Sequence, residues 1–292
     1  MAVGERDAHT GHMTTGHEWN GIKELNTPVP KPVYFFLAAT ALFSVVYWLL
    51  MPAWPTGSSY TKGLLGIDQR QTVAEKLAAA SLDRASWTAR IAGESFEAIR
   101  ADPQLMTIVR ETGHTLFGDN CAACHGAKAA GGPGYPNLAE ASWLWGGSPE
   151  AIEETIRVGI NSAHPDTRVS QMPAFGRDQI LDRDRILEVV AYVRSLSPSG
   201  EPAADAGVLA AGRQVFLENC ASCHGESGAG NTEFGAPDLT DGSWIHGGSL
   251  DAVFRAVYGG QQGLMPAWEG RLSPLDRKML VLYLLDLRST EN

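Results

Sequence analysis

Two short stretches, LFGDNCAACHG (Leu116–Gly126) and VFLENCASCHG (Val215–Gly225), match each other at an offset of 99 residues. Two further blocks repeat in the same order. ASWLWGGSPEAI (141–152) matches GSWIHGGSLDAV (242–253) at an offset of 101, and QMPAFGRDQI (171–180) matches LMPAWEGRLS (264–273) at an offset of 93. Each copy ends in an apolar-periodic segment that predicts a helix, Arg183–Leu196 and Pro274–Leu287. The repeat therefore predicts two similar, mostly helical domains.

All four cysteines lie in two C-x-x-C-H motifs: Cys121, Cys124 and His125, and Cys220, Cys223 and His224. This spacing predicts covalent attachment of haem c, in which both thiols bond one porphyrin and the histidine ligates the iron. A zinc site would have its cysteine pairs closer together in sequence, and a thioredoxin-like pair needs a βαβ context. A disulfide inside each motif would leave the following histidine unexplained. Two haem c groups are therefore predicted.

Each iron then needs a second axial ligand. The candidates are Met172 and His164 in the first copy, and Met265 and His246 in the second. A methionine followed by Pro-Ala recurs in both copies. This recurrence favours a role for both methionines as iron ligands over a role as side chains that fill the core. Each methionine is expected to ligate the iron of its own copy, Met172 the first and Met265 the second. With both axial positions filled, one-electron transfer remains as the chemistry, and no catalytic residue is predicted.

A stretch of 22 residues without a charged side chain, residues 33–54, predicts a membrane anchor. A helix of this length spans about 33 Å, which covers a hydrocarbon core of roughly 30 Å. Tyr34, Tyr47, Trp48 and Trp54 lie toward its ends, where amphipathic rings prefer the interface. The alternatives are a buried core helix and a cleaved signal peptide. A signal peptide would have a shorter apolar stretch and a basic start.

The acidic balance of the chain limits its partners. The 292 residues carry a formal charge of −10, all of it in residues 101–292, because residues 1–100 hold nine basic and nine acidic side chains. This balance excludes nucleic acid as a partner, since phosphate binding needs clustered Lys and Arg. It favours a cationic partner for the cysteine-containing part.

The predicted fold is all-α, with a single N-terminal transmembrane helix followed by two tandem cytochrome c-type domains. An amphipathic helix over Thr72–Ala101 is expected to be a solvated spacer, and SPSGEPAADAG (197–207) a linker. Trp143 and Trp244 are expected to pack on the porphyrins. Because haem c is assembled outside the bacterial cytoplasm, residues 55–292 are expected in the periplasm. The predicted segments are a cytoplasmic 1–32, the span 33–54, a periplasmic linker 55–103, and cytochrome c domains 104–198 and 199–292.

The segments around the span carry a family resemblance. HEWNGIKELNTPVP (17–30) precedes the span, and PAWP (52–55) and GLLG (63–66) follow it. They are similar to the D-G-I-x-E-x-N-x-P-x-P entry, Y-P-x-W-P exit and G-x-L-G turn of the dihaem subunit (CcoP or FixP, subunit III) of bacterial cbb3-type cytochrome c oxidases. The chain departs from the family pattern at Asn20, Thr27 and Pro32-Val33.

This resemblance covers the full length of the chain and implies an electron-entry role at the inner membrane. A soluble or membrane-bound cytochrome c donor would reduce the two haems. Electrons would then pass to a monohaem subunit and a haem–copper subunit, which reduces oxygen to water and pumps protons. The family's thioether and axial positions match the four cysteines, His125 with Met172, and His224 with Met265. The alternatives are a stand-alone membrane-anchored dihaem carrier or sensor, and a dihaem peroxidase with an open iron site.

Overall fold

The computed structural model describes residues 4–140, 142–198 and 204–290, so residues 199–203 of the predicted linker lie outside the described residues. Its strands are β1 (Thr14–Trp19) and β2 (Ile22–Leu25). Its helices are α1 (Lys31–Leu50), α2 (Gln69–Gly93), α3 (Phe96–Arg100), α4 (Pro103–Asn120), α5 (Ala122–His125), α6 (Pro149–Val158), α7 (Arg183–Leu196), α8 (Ala206–Asn219), α9 (Ala221–His224), α10 (Leu250–Gly259) and α11 (Pro274–Thr290). The chain divides into two compact units, Met1–Asp83 and Arg84–Asn292. The mostly helical architecture confirms the predicted fold class.

The first unit contains a two-stranded hairpin, which the all-α prediction did not include. β1 and β2 pair antiparallel across the turn Asn20-Gly21, whose φ angles are 50° and 84°. Two successive positive φ angles are typical of the type I′ turn, for which Asn-Gly is a preferred sequence. The hairpin lies in segment 1–32, for which the sequence predicted no strand.

Helix α1 is long and apolar enough to cross a membrane, with a mean hydropathy of 2.0. It begins at Lys31 and ends at Leu50, so it is shorter at its C-terminal end than the predicted span 33–54. Pro32 fits the first turn because the first helical N–H groups have no partner. Pro52 disfavours helical geometry at Met51, which is extended, and the helix stops there.

The spacer prediction is wrong for the C-terminal part of the segment Thr72–Ala101. The expected single helix is broken, because α2 ends at Gly93 and Ser95 then caps α3 by accepting a hydrogen bond from the Ala98 N–H. Four apolar side chains from this part enter the core of the second unit: Trp87, Ile91, Phe96 and Ile99. These residues therefore belong to the folded unit rather than to a solvated connection.

The two sequence repeats exchange their C-terminal helices within the second unit. Helix α11, from the second repeat, packs on α4 and α6 of the first, whereas α7, from the first repeat, packs on α8 and α10 of the second. We call α4, α5, α6 and α11 the first lobe, and α8, α9, α10 and α7 the second lobe. Each lobe therefore has a hydrophobic core built from both repeats. Residues 104–198 and 199–292, which the sequence predicts as two domains, therefore do not each form a separate core, because α7 and α11 pack on helices of the other repeat.

Glycines allow the exchanged helices to approach closely. A Cβ on Gly113 of α4 would lie 2.6 Å from Tyr283 Cβ of α11. A Cβ on Gly212 of α8 would lie 2.1 Å from the Glu188 carbonyl oxygen of α7. No other residue type fits at these crossings without separating the helices.

Candidate haem sites

Each C-x-x-C-H motif continues a long helix and forms one short helical turn. The Cys121 N–H donates to the Phe117 carbonyl at 2.8 Å, and the turn α5 follows directly. It ends at Gly126, with a φ of 76°, and α9 ends in the same way at Gly225, with a φ of 75°. Glycine adopts this left-handed conformation without steric cost, so the chain can leave each motif sharply.

The motif histidines are held in the tautomer that a metal ligand needs. His125 Nδ1 lies 3.1 Å from the Pro136 carbonyl oxygen, and His224 Nδ1 lies 3.0 Å from the Pro237 carbonyl oxygen. A carbonyl only accepts, so Nδ1 carries the proton and the lone pair is on Nε2. Burial lowers the pKa of both histidines, which favours the neutral ring. Each Nε2 is therefore able to ligate iron.

The four cysteines are free thiols with a graded exposure. Cys124 and Cys223 are exposed, whereas Cys121 and Cys220 are partly buried. Burial raises the pKa of Cys121 and of Cys220 to about 11, so both are neutral thiols at pH 7. In each motif the two thiols lie one helical turn apart and are free to form two thioether bonds.

Each methionine packs in the lobe that contains the motif of the other repeat. Met265 packs against the core of the first lobe, together with Cys121. Met172 packs against the core of the second lobe, together with Cys220. The structure therefore does not bring Met172 to the first motif or Met265 to the second, contrary to the sequence expectation. The cause is the exchange of the helices that follow the two methionines.

A glycine in each repeat allows the methionine loop of the other repeat to lie close to its backbone. Gly159 and Gly260 end α6 and α10, and each has a φ of 70°. A Cβ on Gly159 would lie 2.3 Å from the Met265 carbonyl oxygen, and a Cβ on Gly260 would lie 2.6 Å from that of Met172. The position and backbone of each methionine loop therefore depend on a residue of the other repeat.

The two histidine candidates for the second axial position have different surroundings. His164 Nε2 is 2.8 Å from Glu269 Oε2, and its Nδ1 accepts from the Asp166 N–H at 3.0 Å. Both ring nitrogens of His164 thus have protein partners. His246 lines a surface groove beside Trp244.

Two buried indole groups provide a test of whether a haem fits. The Nε1 atoms of Trp143 and Trp244 are buried without a hydrogen-bond partner among the described residues. Both tryptophans line a cavity of about 910 Å³, as do Pro136 and Pro237, whose carbonyls accept from the motif histidines. A buried N–H without an acceptor is costly, and the carboxylate of a haem propionate would supply one. The residues present therefore fit the predicted cofactor.

The glycines that shape these sites were not among the residues predicted from the sequence. Gly113 and Gly212 are separated by 99 residues, and Gly159 and Gly260 by 101. These separations equal the offsets of the neighbouring repeat blocks. The glycines were therefore detectable as part of the repeat, although their contacts across the repeats were not.

Three family models match this chain. Residues 11–58 match the N-terminal domain of cytochrome oxidase-cbb3, FixP. Residues 110–197 match cytochrome c, and residues 207–284 match cytochrome C oxidase, cbb3-type, subunit III. Together they cover the hairpin and α1, the first repeat and the second repeat.

Curated relatives match over almost their whole length. The Cbb3-type cytochrome c oxidase subunit FixP of Bradyrhizobium sp. (strain ORS 278) is 46% identical, with 97% of each chain covered. The subunit CcoP of Azospirillum brasilense is 42% identical over 98% of this chain and 99% of the relative. The CcoP of Cereibacter sphaeroides is 38% identical, with 95% of each chain covered.

A candidate membrane helix joined to two cytochrome c domains defines a class of membrane-anchored haem c electron-transfer proteins. Within that class, the chain belongs to the FixP/CcoP family of cbb3-type cytochrome c oxidase subunits. Cytochrome c domains carry haem c, and the family supports a role in electron transfer within the oxidase.

Proposed function

We propose that this chain is the dihaem subunit through which electrons enter a cbb3-type oxidase. It accepts electrons from a periplasmic cytochrome c donor. It passes them to the monohaem and haem–copper subunits, where oxygen is reduced to water and protons are pumped. The observation that carries the proposal is that one chain joins a candidate membrane helix to two lobes. Each lobe contains an attachment motif, a histidine with a free Nε2, and a methionine.

The proposed ligand sets follow the exchanged helices. Each haem would be held by a histidine from one repeat and a methionine from the other. The first haem is bound by Cys121, Cys124, His125 and Met265, and the second by Cys220, Cys223, His224 and Met172. The contacts of Met265 in the first lobe and of Met172 in the second support this assignment. The sequence repeats 104–198 and 199–292 thus each contribute to both haem sites.

The side chains determine what the bound cofactors can do. Haem c supplies one-electron exchange between Fe(III) and Fe(II) when bound. The Pro136 and Pro237 carbonyls orient the histidines, and each methionine would supply a second protein ligand to the iron. With two protein ligands the iron would have no site for a substrate, which favours electron transfer over catalysis. A thioether ligand also favours the reduced iron and raises the potential.

We also propose that the haem-bearing part lies in the periplasm and the hairpin segment 1–32 in the cytoplasm. Attachment of haem c to the motif cysteines takes place outside the bacterial cytoplasm, which supports this orientation. The formal charge of residues 101–292 is −10, and haem propionates would make it more negative. A cationic cytochrome c donor is therefore steered toward this part of the chain.

The subunit composition of the detergent-purified complex tests this function. We expect the chain to co-purify with a haem b-containing subunit and a monohaem cytochrome c, and to carry two haem c groups itself. Purification of the chain alone with both haems would favour a stand-alone carrier or sensor. Binding of carbon monoxide to the reduced, isolated subunit would reveal an open iron site and favour a peroxidase.

A further inference from the structure

The first repeat contains an insertion that lies against the methionine loop of the second repeat. The repeat offset falls from 101 to 93 between the second and third blocks, so the first repeat has eight more residues there. The added residues fall within segment 160–170, which we call the clasp loop. Its first residue, Ile160, pairs with Met265 through two backbone hydrogen bonds of 2.9 Å.

The clasp loop is held in one shape by its own side chains. The Ser162 N–H donates to Thr167 Oγ1 at 2.9 Å, and Ser162 Oγ donates to the Val158 carbonyl at 2.7 Å. Asn161 Oδ1 accepts from the Ser170 N–H at 3.1 Å, which ties the two ends of the loop together. These local bonds reduce the entropy that the loop would lose in contacting another segment.

Three side chains hold the Met265 loop on both sides of the methionine. On the N-terminal side, Asn161 Nδ2 donates to the Gly263 carbonyl at 2.7 Å. On the C-terminal side, Arg157 Nη1 donates to Glu269 Oε1 at 2.9 Å, and His164 Nε2 lies 2.8 Å from Glu269 Oε2. Hydrogen bonds from His164 and Arg157 lower the pKa of Glu269, so both carboxylate oxygens accept in its charged form.

The tautomer of His164 favours this contact. Its Nδ1 accepts from the Asp166 N–H at 3.0 Å, so the proton of the neutral ring is on Nε2 and points to Glu269. Only 13% of the His164 side chain is exposed. The Glu269 side chain is 45% exposed, so the contact lies at the surface with its histidine side covered.

The Met172 loop has equivalent backbone bonds, because Gln261 pairs with Met172 at 2.9 and 3.2 Å as Ile160 pairs with Met265. Its backbone is bonded to the second repeat, for example from the Phe175 N–H to the Val257 carbonyl at 3.1 Å and from the Gly176 N–H to the Tyr258 carbonyl at 3.2 Å. The position of Glu269 in the aligned block is taken by Gly176. Among the described residues, no side-chain hydrogen bond or ion pair joins the Met172 loop to the second repeat.

We propose that Asn161, His164 and Glu269 are positioning residues that hold Met265 on the first haem iron. The proposal rests on the ligand assignment given above. It makes the two haems unequal, because replacement of Met265 by an external ligand requires the clasp contacts to open, whereas replacement of Met172 does not.

Imidazole exchange on the full, haem-loaded chain in detergent tests this role. The parent protein carries Met172→His, so that the first haem alone keeps a methionine. Added imidazole replaces that methionine on the oxidised haem, and loss of the methionine–iron charge-transfer band gives the rate. Loss of one hydrogen bond worth about 1 kcal/mol changes such a loop-opening equilibrium about fivefold. His164→Ala and Glu269→Gln should each raise the rate by about that factor.

Two further variants separate positioning from general stability. His164→Gln keeps a donor for Glu269, so we expect it to react more slowly than His164→Ala. Arg185→Gln breaks an ion pair of 2.7 Å with Glu218 in the second lobe, and should leave the rate unchanged. The wild-type protein should react in two phases, the slower one from the first haem.

Two outcomes would count against this idea in different ways. If His164→Ala and Glu269→Gln react at the parent rate, the clasp loop does not position Met265. If adding Met265→His to the parent does not abolish the reaction, Met265 is not the ligand that imidazole replaces, and the positioning role is lost with it.

Discussion

Replacement of Gly113 by alanine tests the exchanged helices, because Gly113 is the point at which α4 contacts α11. The new Cβ would lie 2.6 Å from Tyr283 Cβ and 2.9 Å from Tyr283 Cγ. Carbon atoms in contact normally lie about 3.5–4.0 Å apart, so the two helices would have to separate by roughly 1 Å. Overpacking of this kind destabilises a protein by about 1–3 kcal/mol. In a unit of this size the melting temperature falls by roughly 2–4 °C per kcal/mol.

Thermal unfolding of the haem-loaded chain, followed by helical circular dichroism, measures this effect. Gly118→Ala is a matched control in the same helix, because nothing lies near its new Cβ. We expect that control to stabilise the chain by about 0.5–1 kcal/mol through helix propensity. Tyr283→Ala removes the ring from the crossing, so Gly113→Ala should cost less in that background. Tyr192→Ala, the equivalent change in α7, should leave the cost of Gly113→Ala unchanged. Relief by Tyr192→Ala instead of Tyr283→Ala would refute the exchange.

Three other predictions concern the midpoint potentials of the haems, electron uptake from the donor, and an ion pair between α4 and α11. Trp143→Phe and Met265→His should shift the midpoint potential of the same haem in a redox titration, and Met172→His that of the other haem. Both methionine variants should lower the midpoint potential of the haem they affect, because the thioether favours reduced iron. If both variants shift the midpoint potential of the same haem, the assignment of one methionine to each haem is contradicted. Electron uptake from a cationic cytochrome c, measured by stopped flow, should slow between 0.1 M and 1 M salt, because the Debye length falls from about 10 Å to about 3 Å. A flat salt profile would exclude steering. Arg110→Asp should destabilise the chain by about 0.2–1 kcal/mol in urea unfolding, and adding Asp286→Arg should restore stability, because these side chains form an ion pair of 2.8 Å between α4 and α11.

Local features of the haem sites were predictable from the sequence. The C-x-x-C-H motifs have the spacing of one helical turn, and α5 and α9 form that turn. The membrane helix was predictable from its apolar length, although its C-terminal end at Leu50 was not. The contribution of Ile91 to the core was missed, because a periodic helix has the same pattern whether it covers a core or forms a spacer.

The sequence by itself determined the two haem attachment motifs, the two methionine candidates and the membrane anchor, because each depends on residues close together in the chain. Only the tertiary structure decided which methionine lies with which motif. Met172 and Met265 occur in similar blocks, and the helices that follow them have the same apolar periodicity. This periodicity alone does not distinguish the two pairings. The backbone pairing of Ile160 with Met265, beside Gly159, joins residues that are distant in sequence, and it holds the Met265 loop against the first repeat.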